Sequence, residues 1–295
     1  MSEVTCIDAK LASSMLPKRK EDGHKGTFGK LLIVGGAVGY TGAPYLAAEA
    51  AVHSGCGLVY LGVPTCIWQI EAVKCTSSMP FPLPDEGGML CEASYGAVAD
   101  KLSGCDVLAL GPGLGRSRGA EKLVSLLLDF AAQSVVLDAD GINALAGNPG
   151  LLKSRRGRVT VLTPHEAEFS RLSGLPLESI VRGDRCALAR SFAAEYGCVL
   201  VLKGHRTVVA LPDGQVFVNT CGGSALSRGG SGDVLTGLIA SLLCQGASAR
   251  DAACCGVFLH ARAGDLLAQQ QTSYCVTPSA LIEQGFPPAF GELLV

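Results

Sequence analysis

Several things are scarce in this 295-residue chain, and each scarcity removes a class of explanation. Aromatic residues make up 5% of it, with one Trp, and charged residues only 17%. The formal net charge is -2, from 24 Lys and Arg against 26 Asp and Glu. No basic stripe with interleaved aromatics is present, so nucleic acid is not expected as a partner. The longest apolar run, "VLTGLIASLLC", is about half of what a membrane span needs, and no membrane association is expected. The first residues, "MSEVTCIDAKLASSMLPKRKEDGHKG", lack an apolar signal core, which argues against secretion. Cys is abundant at 13, yet no Cys-x-x-Cys pair or zinc-ligand spacing occurs. Most Cys sit in apolar segments such as "CVLVLKG", as small hydrophobes in a reduced, cytoplasmic protein would.

What is plentiful is hydrophobic residues, 48%, and glycine, 38 in all, gathered at the ends of apolar runs. From about residue 30, short β-branched runs alternate with helical patterns. "KLLIVGG", "GLVYLGVP", "CDVLALGPG", "SVVLDAD", "RVTVLTP" and "CVLVLKG" read as strands, and "APYLAAEAAVHSG", "GAEKLVSLLLDFAAQ" and "GDRCALARSFAAEYG" as helices. "RTVVALPDGQVFVN" predicts a hairpin turning at Pro-Asp-Gly, and two long helices follow, Asp233 to Gln245 and Ala249 to about Gln270. The alternation predicts an α/β protein with a mainly parallel sheet covered on both faces. The stretch "SSMPFPLPDEGG" is expected to be a surface excursion, and the tail after Gln270 a closing helix with a surface end.

Ligands of such sheets bind beyond the carboxyl ends of the strands. The chemistry-bearing motifs cluster there: "VGGAVGYTGA", "LGPGLG", "LDADGINA", "LTPHEAE" and "LKGHRT". None is a dinucleotide fingerprint, because the strand "GLVYLGVP" ends in Val63 and Pro64 rather than in an acidic residue. No Gly-Lys-Ser/Thr marks a P-loop either. Gly229, Gly230, Ser231 and Gly232 run into an apolar helix and suit an anion, since a helix N-terminus offers free N–H groups and partial positive charge. Asp233 follows at once. It either caps the helix or acts as a base beside a transferring phosphoryl group. His165, with Glu166 and Glu168 beside it, is structural or functional. Asp138 and Asp140 could hold a water or a metal, or Asp140 could cap a helix. Lys203, His205 and Arg206 fit a nucleotide phosphate or a solvated basic loop.

In this order, "KGTFGKLLIVGG", "GYTGAPYLAAEAAVHSGCGLV", "LGPGLG", "VLDADGINAL", "TPHEAEF", "VLKGHRT" and "GGSGDVLTGLIASLLCQG" resemble the ADP- or ATP-dependent NAD(P)H-hydrate dehydratases of the ribokinase-like superfamily. The resemblance runs from about Lys25 to about Gln270. It implies a single domain over residues 1–295 with a ribokinase-like three-layer α/β/α fold. It further implies dehydration of the S epimer of NADHX or NADPHX through phosphorylation of the ring hydroxyl and loss of phosphate. By the same resemblance Asp233 takes the hydroxyl proton, Ala43, Gly113, His165 and Asp233 line the hydrate pocket, and Lys203, Gly204, His205, Arg206, Thr207 and Gly232 contact the nucleotide. Mg2+ accompanies ADP or ATP, and the protein is expected to be a homo-oligomer, a tetramer. Larger relatives carry an epimerase domain ahead of this one, for which no room is expected before Lys25. The sequence departs from the family pattern at Gly223, where Asn is usual, at Leu226, Ser227 and Arg228, and mildly at Ala167. Two other readings compete: a small-molecule kinase of a vitamin precursor (hydroxyethylthiazole or hydroxymethylpyrimidine type), and a nucleotide-binding protein without turnover.

Overall fold

The computed structural model describes residues 4–294. Ten strands form one sheet: β1 (Val4–Ile7), β2 (Lys30–Val34), β3 (Leu58–Pro64), β4 (Met79–Leu83), β5 (Val107–Leu110), β6 (Ser134–Leu137), β7 (Thr160–Leu162), β8 (Val199–Leu202), β9 (Val208–Ala210) and β10 (Val216–Asn219). Their spatial order is β1-β10-β9-β8-β7-β6-β5-β2-β3-β4. Only β9 runs antiparallel to its neighbours, as the middle of the hairpin read from the sequence. The helices that matter to the site are α1 (Gly42–His53), α2 (Arg118–Phe130), α3 (Glu166–Ser173), α4 (Arg185–Tyr196), α5 (Ser231–Cys244) and α6 (Ala249–Gln271).

Side chains alternate along a strand, so the sheet feeds two cores. Leu31 and Ile33 of β2 join Ala47, Leu238 and Ala252 from α1, α5 and α6 in one of them. Leu32 and Val34 join Leu123, Leu127 and Phe192 from α2 and α4 in the other. Every one of these side chains is buried, as the unbroken apolar strand runs require. The result is the three-layer α/β/α architecture expected. Helix α5 comes close to α1 at Gly237, where a Cβ would lie 2.0 Å from the carbonyl oxygen of Ala47.

Two segments differ from the sequence reading. Met79–Leu83, expected as a surface excursion, is the edge strand β4 and pairs in parallel with β3. Pro80 and Pro82 occupy alternate positions, and an edge strand tolerates residues that cannot donate to a ladder because one side of it has no partner. The tail is not a surface end either: Leu281, Ile282, Phe286, Ala289 and Leu293 are buried in the α5/α6 core.

The chain lays down β2, β3 and β4 toward one edge, then returns to place β5 on the other side of β2. Between β2 and β5 the order reverses, and open α/β sheets bind ligands above that switch point. The loops after β2 and β5 touch there: Gly36 N–H donates to Pro112 O (2.9 Å), and Gly111 N–H to Val34 O (3.1 Å). Among the described residues no helix is long and apolar enough to cross a membrane.

Candidate active site

A cleft of about 860 Å³ opens above the carboxyl ends of β6, β7 and β8, with the start of α5 as one wall. It gathers Asp138, His165, Glu168, the whole segment Lys203 to Thr207, and Gly230 to Asp233. Ala43 and Gly113 do not line it. They lie together at the switch point, where a Cβ on Gly113 would be 3.0 Å from that of Ala43.

The helix behind the glycine loop begins earlier than its sequence suggests. Gly230, at φ 95°, is the N-cap, and α5 starts at Ser231. A side chain at Gly230 would be strained by that φ and would meet Leu46 at 2.7 Å. Asp233 is therefore the third residue of the helix and not its cap, and no side chain caps this helix end. The Ser231 N–H turns back to Arg228 O (3.3 Å), and the Gly232 N–H is left for a ligand, which is the property of an anion site.

Beneath the loop lies a closed set of charges. Asp138, 1% exposed, accepts from Lys203 Nζ at 2.8 Å and from Thr163 Oγ1 at 2.8 Å. Burial opposes its charge, but Lys203 and the Thr163 and Thr236 hydroxyls hold its carboxyl below the usual range. Glu168 Oε2 lies 3.9 Å from the same ammonium. A Cβ on Gly232 would stand 3.1 Å from Lys203 Nζ, so the ion pair touches the loop. Lys203 thus serves three carboxylates, and among the described residues Asp233 is the one of them with no direct ion pair. Burial, then repulsion from Asp138, pushes the Asp233 carboxyl up to about 7, with Lys203 opposing. A carboxylate poised there suits a general base at neutral pH.

His165 is the N-cap of α3. Its Nδ1 accepts from Ala167 N–H (3.1 Å) and Glu168 N–H (3.4 Å), and Glu168 Oε2 accepts its backbone N–H (2.8 Å), a reciprocal capping box. Burial lowers its basicity, so the neutral ring presents Nε2–H toward Glu168 Oε1 at 3.4 Å. Asp140 is structural: its carboxylate accepts Gly115 N–H (3.0 Å), Asn143 (3.0 Å) and Arg116 (3.3 Å), fixing the loop that holds Gly113.

Several residues of the site carry no local sequence signal. Arg185 at the start of α4 donates to the carbonyls of Leu202 (3.0 Å), Lys203 (3.1 Å) and His205 (2.8 Å), shaping the Lys203 to Thr207 turn. Thr163 and Thr236 flank Asp138, and His260 reaches Ser231 from α6. Among the described residues no group of three His, Cys, Asp or Glu is arranged to hold a metal ion by itself.

The layered sheet and a glycine loop carrying one unpaired carboxylate define a ribokinase-like enzyme scaffold. More narrowly, the chain belongs to the NAD(P)H-hydrate dehydratase family, whose sequence profile matches residues 31–285. It is 40% identical over 251 residues to the ADP-dependent (S)-NAD(P)H-hydrate dehydratase of Neisseria meningitidis, covering 84% of this chain and 80% of the relative. It is 42% identical over 278 residues to the bifunctional NAD(P)H-hydrate repair enzyme Nnr of Moorella thermoacetica. That match covers 94% of this chain but 52% of the relative, so the chain spans about half the length of this bifunctional protein. Among solved structures, the ADP/ATP-dependent NAD(P)H-hydrate dehydratase of Bacillus subtilis, co-crystallized with ATP and Mg2+, superposes with a TM-score of 0.82 at 26% identity. The superposition covers 99% of this chain and 100% of that one.

Proposed function

We propose that this chain returns the S epimers of NADHX and NADPHX to NADH and NADPH, with ADP or ATP as phosphoryl donor. The observation that carries the reading is the Asp233 carboxylate: uncapped, without a direct ion pair, and poised near 7 at the mouth of an anion-binding helix terminus. The Neisseria relative's name gives ADP as the donor, and the Bacillus structure was obtained with ATP and Mg2+.

The ring hydroxyl of the hydrate lies against Asp233, reaching it from the switch point at Ala43 and Gly113. Asp233 takes the hydroxyl proton as that oxygen bonds to the donor's terminal phosphorus, and the bond from phosphorus to the departing nucleotide breaks. The N–H groups of Gly230 and Gly232 and the dipole of α5 hold the negative oxygens of the group in transit. Phosphate is a far better leaving group than hydroxide. The ring nitrogen's lone pair forms a double bond to the carbon bearing the phosphate as the carbon–oxygen bond breaks. Loss of a proton from the adjacent ring carbon then restores the dihydropyridine. With Asp138 engaged by Lys203, Asp233 and Glu168 are the cleft carboxylates that would meet a magnesium ion accompanying the nucleotide. Held by these carboxylates, such an ion would supply positive charge to the phosphate oxygens. Lys203 to Thr207 forms the opposite wall, where the nucleotide lies. The same reading carries a cytoplasmic homo-oligomer, a tetramer, which sedimentation of the purified protein would measure.

The test is recovery of the near-ultraviolet band of reduced nicotinamide from NADH hydrate in the presence of Mg2+. Return of the band with ADP or ATP, and none without nucleotide, is the expected result. Nucleotide binding with no return of the band would overturn the reading, and a stable phosphorylated vitamin precursor formed instead would indicate a kinase.

A further inference from the structure

The segment from Gly222 to Ser231 departs from the family pattern at Gly223 and at Leu226 to Arg228 and leads directly into the anion loop. It is a surface arch: Gly223, Ser224, Ser227, Arg228 and Gly229 are all exposed. Its own bonds are short turns within the arch and one from Arg228 to the Tyr274 carbonyl, yet the N–H at its end must point at a phosphoryl group.

One face of α6 holds both ends of this arch. Residues 260, 261, 264 and 265 recur at helical spacing and lie on one side of the helix. At the entrance, Asp265 Oδ2 accepts Gly222 N–H at 2.8 Å. The backbone there sits so close that a Cβ on Gly222 would be 2.9 Å from that of Ala261. One turn on, Leu226 lies over Gly264, where a Cβ would meet its side chain at 2.8 Å. At the exit, His260 Nε2 lies 2.9 Å from Ser231 O, and His260 is 8% exposed. A carbonyl can only accept, so the ring donates through Nε2–H. Burial pushes the imidazole down to about 4, which leaves it neutral in this tautomer.

The Ser231 carbonyl and the Gly232 N–H belong to one planar, trans peptide unit and point in opposite directions. Fixing the carbonyl therefore fixes the amide. Gly232 is the loop residue next to Lys203 and Asp138, and its N–H is one of the unpaired donors of the first turn of α5.

We propose that His260 and Asp265 are positioning residues, clamping the two ends of the Gly222 to Ser231 arch so that the Gly232 N–H is aimed at the transferring phosphoryl group. The assignment rests on the phosphoryl-transfer reading given above. It gives a role to a buried imidazole, His260, and to a half-buried carboxylate, Asp265, on the side of α6 that faces the arch. Neither touches the reacting atoms; each acts through the backbone it holds.

The test compares His260→Gln, which keeps an N–H donor, with His260→Leu, which does not, and Asp265→Asn with Asp265→Ala. ADP affinity is read by calorimetry, kcat and KM by the absorbance assay, and folding by thermal midpoint. For His260→Leu the expected result is a kcat about 10- to 100-fold lower, since one aimed donor is worth about that or more. ADP affinity falls about tenfold, KM for the hydrate stays within about twofold, and His260→Gln regains most of the loss. Asp265→Asn, which still offers an oxygen, falls between wild type and Asp265→Ala. Equal impairment of Gln and Leu in folded protein, or a kcat and ADP affinity untouched by Leu, overturns the proposal. If the wild-type chain binds ADP but turns over no hydrate, the functional reading fails, while the Gln–Leu contrast in ADP affinity still decides the clamp.

Discussion

Among the described residues two lysines, Lys74 and Lys203, pair with buried carboxylates, and the two sites behave differently. Glu71 and Lys74 lie on the helix Thr65–Lys74, three residues apart; Lys74 Nζ reaches Glu71 Oε1 at 3.2 Å and donates to the carbonyl of Thr41 at 2.5 Å. Glu71 is fully buried, and burial raises its carboxyl despite the lysine. This pair closes on itself and on one backbone carbonyl, holding the entry to α1. Asp138 and Lys203, by contrast, come from two strand ends 65 residues apart, and two further carboxylates surround the ammonium. One lysine cannot neutralise three acids in a buried place, so the carboxylate without a direct pair, Asp233, takes the excess as a raised pKa. A buried ion pair is weak evidence of function in itself. What marks the second as a site is the surplus charge beside a helix N-terminus.

The comparison predicts a hierarchy of losses. Asp233→Asn should lower turnover by about 10²- to 10⁴-fold, the usual worth of a positioned base. The same variant should be more stable than wild type at pH 8. The folded carboxyl titrates at about 7, above its ordinary value of 3.8, so stability is full below the ordinary value, falls as pH rises between the two, and is lowest above 7. Asn removes the part of that loss that falls between pH 5 and pH 8, on the order of 2–3 kcal/mol, which denaturant titration at the two pH values would resolve. A variant less stable at pH 8 would break the account of surplus charge.

Lys203→Met comes next. It leaves Asp138 and Glu168 buried without their cation, at a cost of about 3–5 kcal/mol in denaturant titration. Glu71→Gln is the smallest of the three. Because burial already favours the protonated acid, the neutral amide should lower stability by only about 1–2 kcal/mol and turnover by less than about fivefold. Loss of turnover on the scale of Asp233→Asn would erase the distinction between the two pairs.

Much of this was legible in the sequence, because strand-end motifs are local. The β-branched runs located β2, β3 and β5 to β8, and the residues just past them supplied Asp138, His165, Lys203 and the Gly113 loop. Helix α5 was read two residues short, since no sequence rule shows that Gly230 adopts a left-handed cap. Strand β4 was hidden by its prolines, whose missing N–H groups are harmless only on an edge, and an edge is a property of the whole sheet. Arg185 and His260 were invisible as site residues because their partners lie 17 to 29 positions away and are backbone carbonyls, which have no sequence signature. A histidine, His260, at the end of the apolar stretch Ala252 to Leu259 was the available signal.

The most direct measurement is the pH dependence of kcat/KM for nucleotide-driven dehydration, wild type beside Lys203→Met. Asp233 working as a base, held down by one shared lysine, predicts activity rising with pH through a limb near 7 and a limb moved to higher pH in the variant, because the lysine that favours the carboxylate is gone. A profile flat through 7, or a limb that Lys203→Met leaves in place, would contradict it.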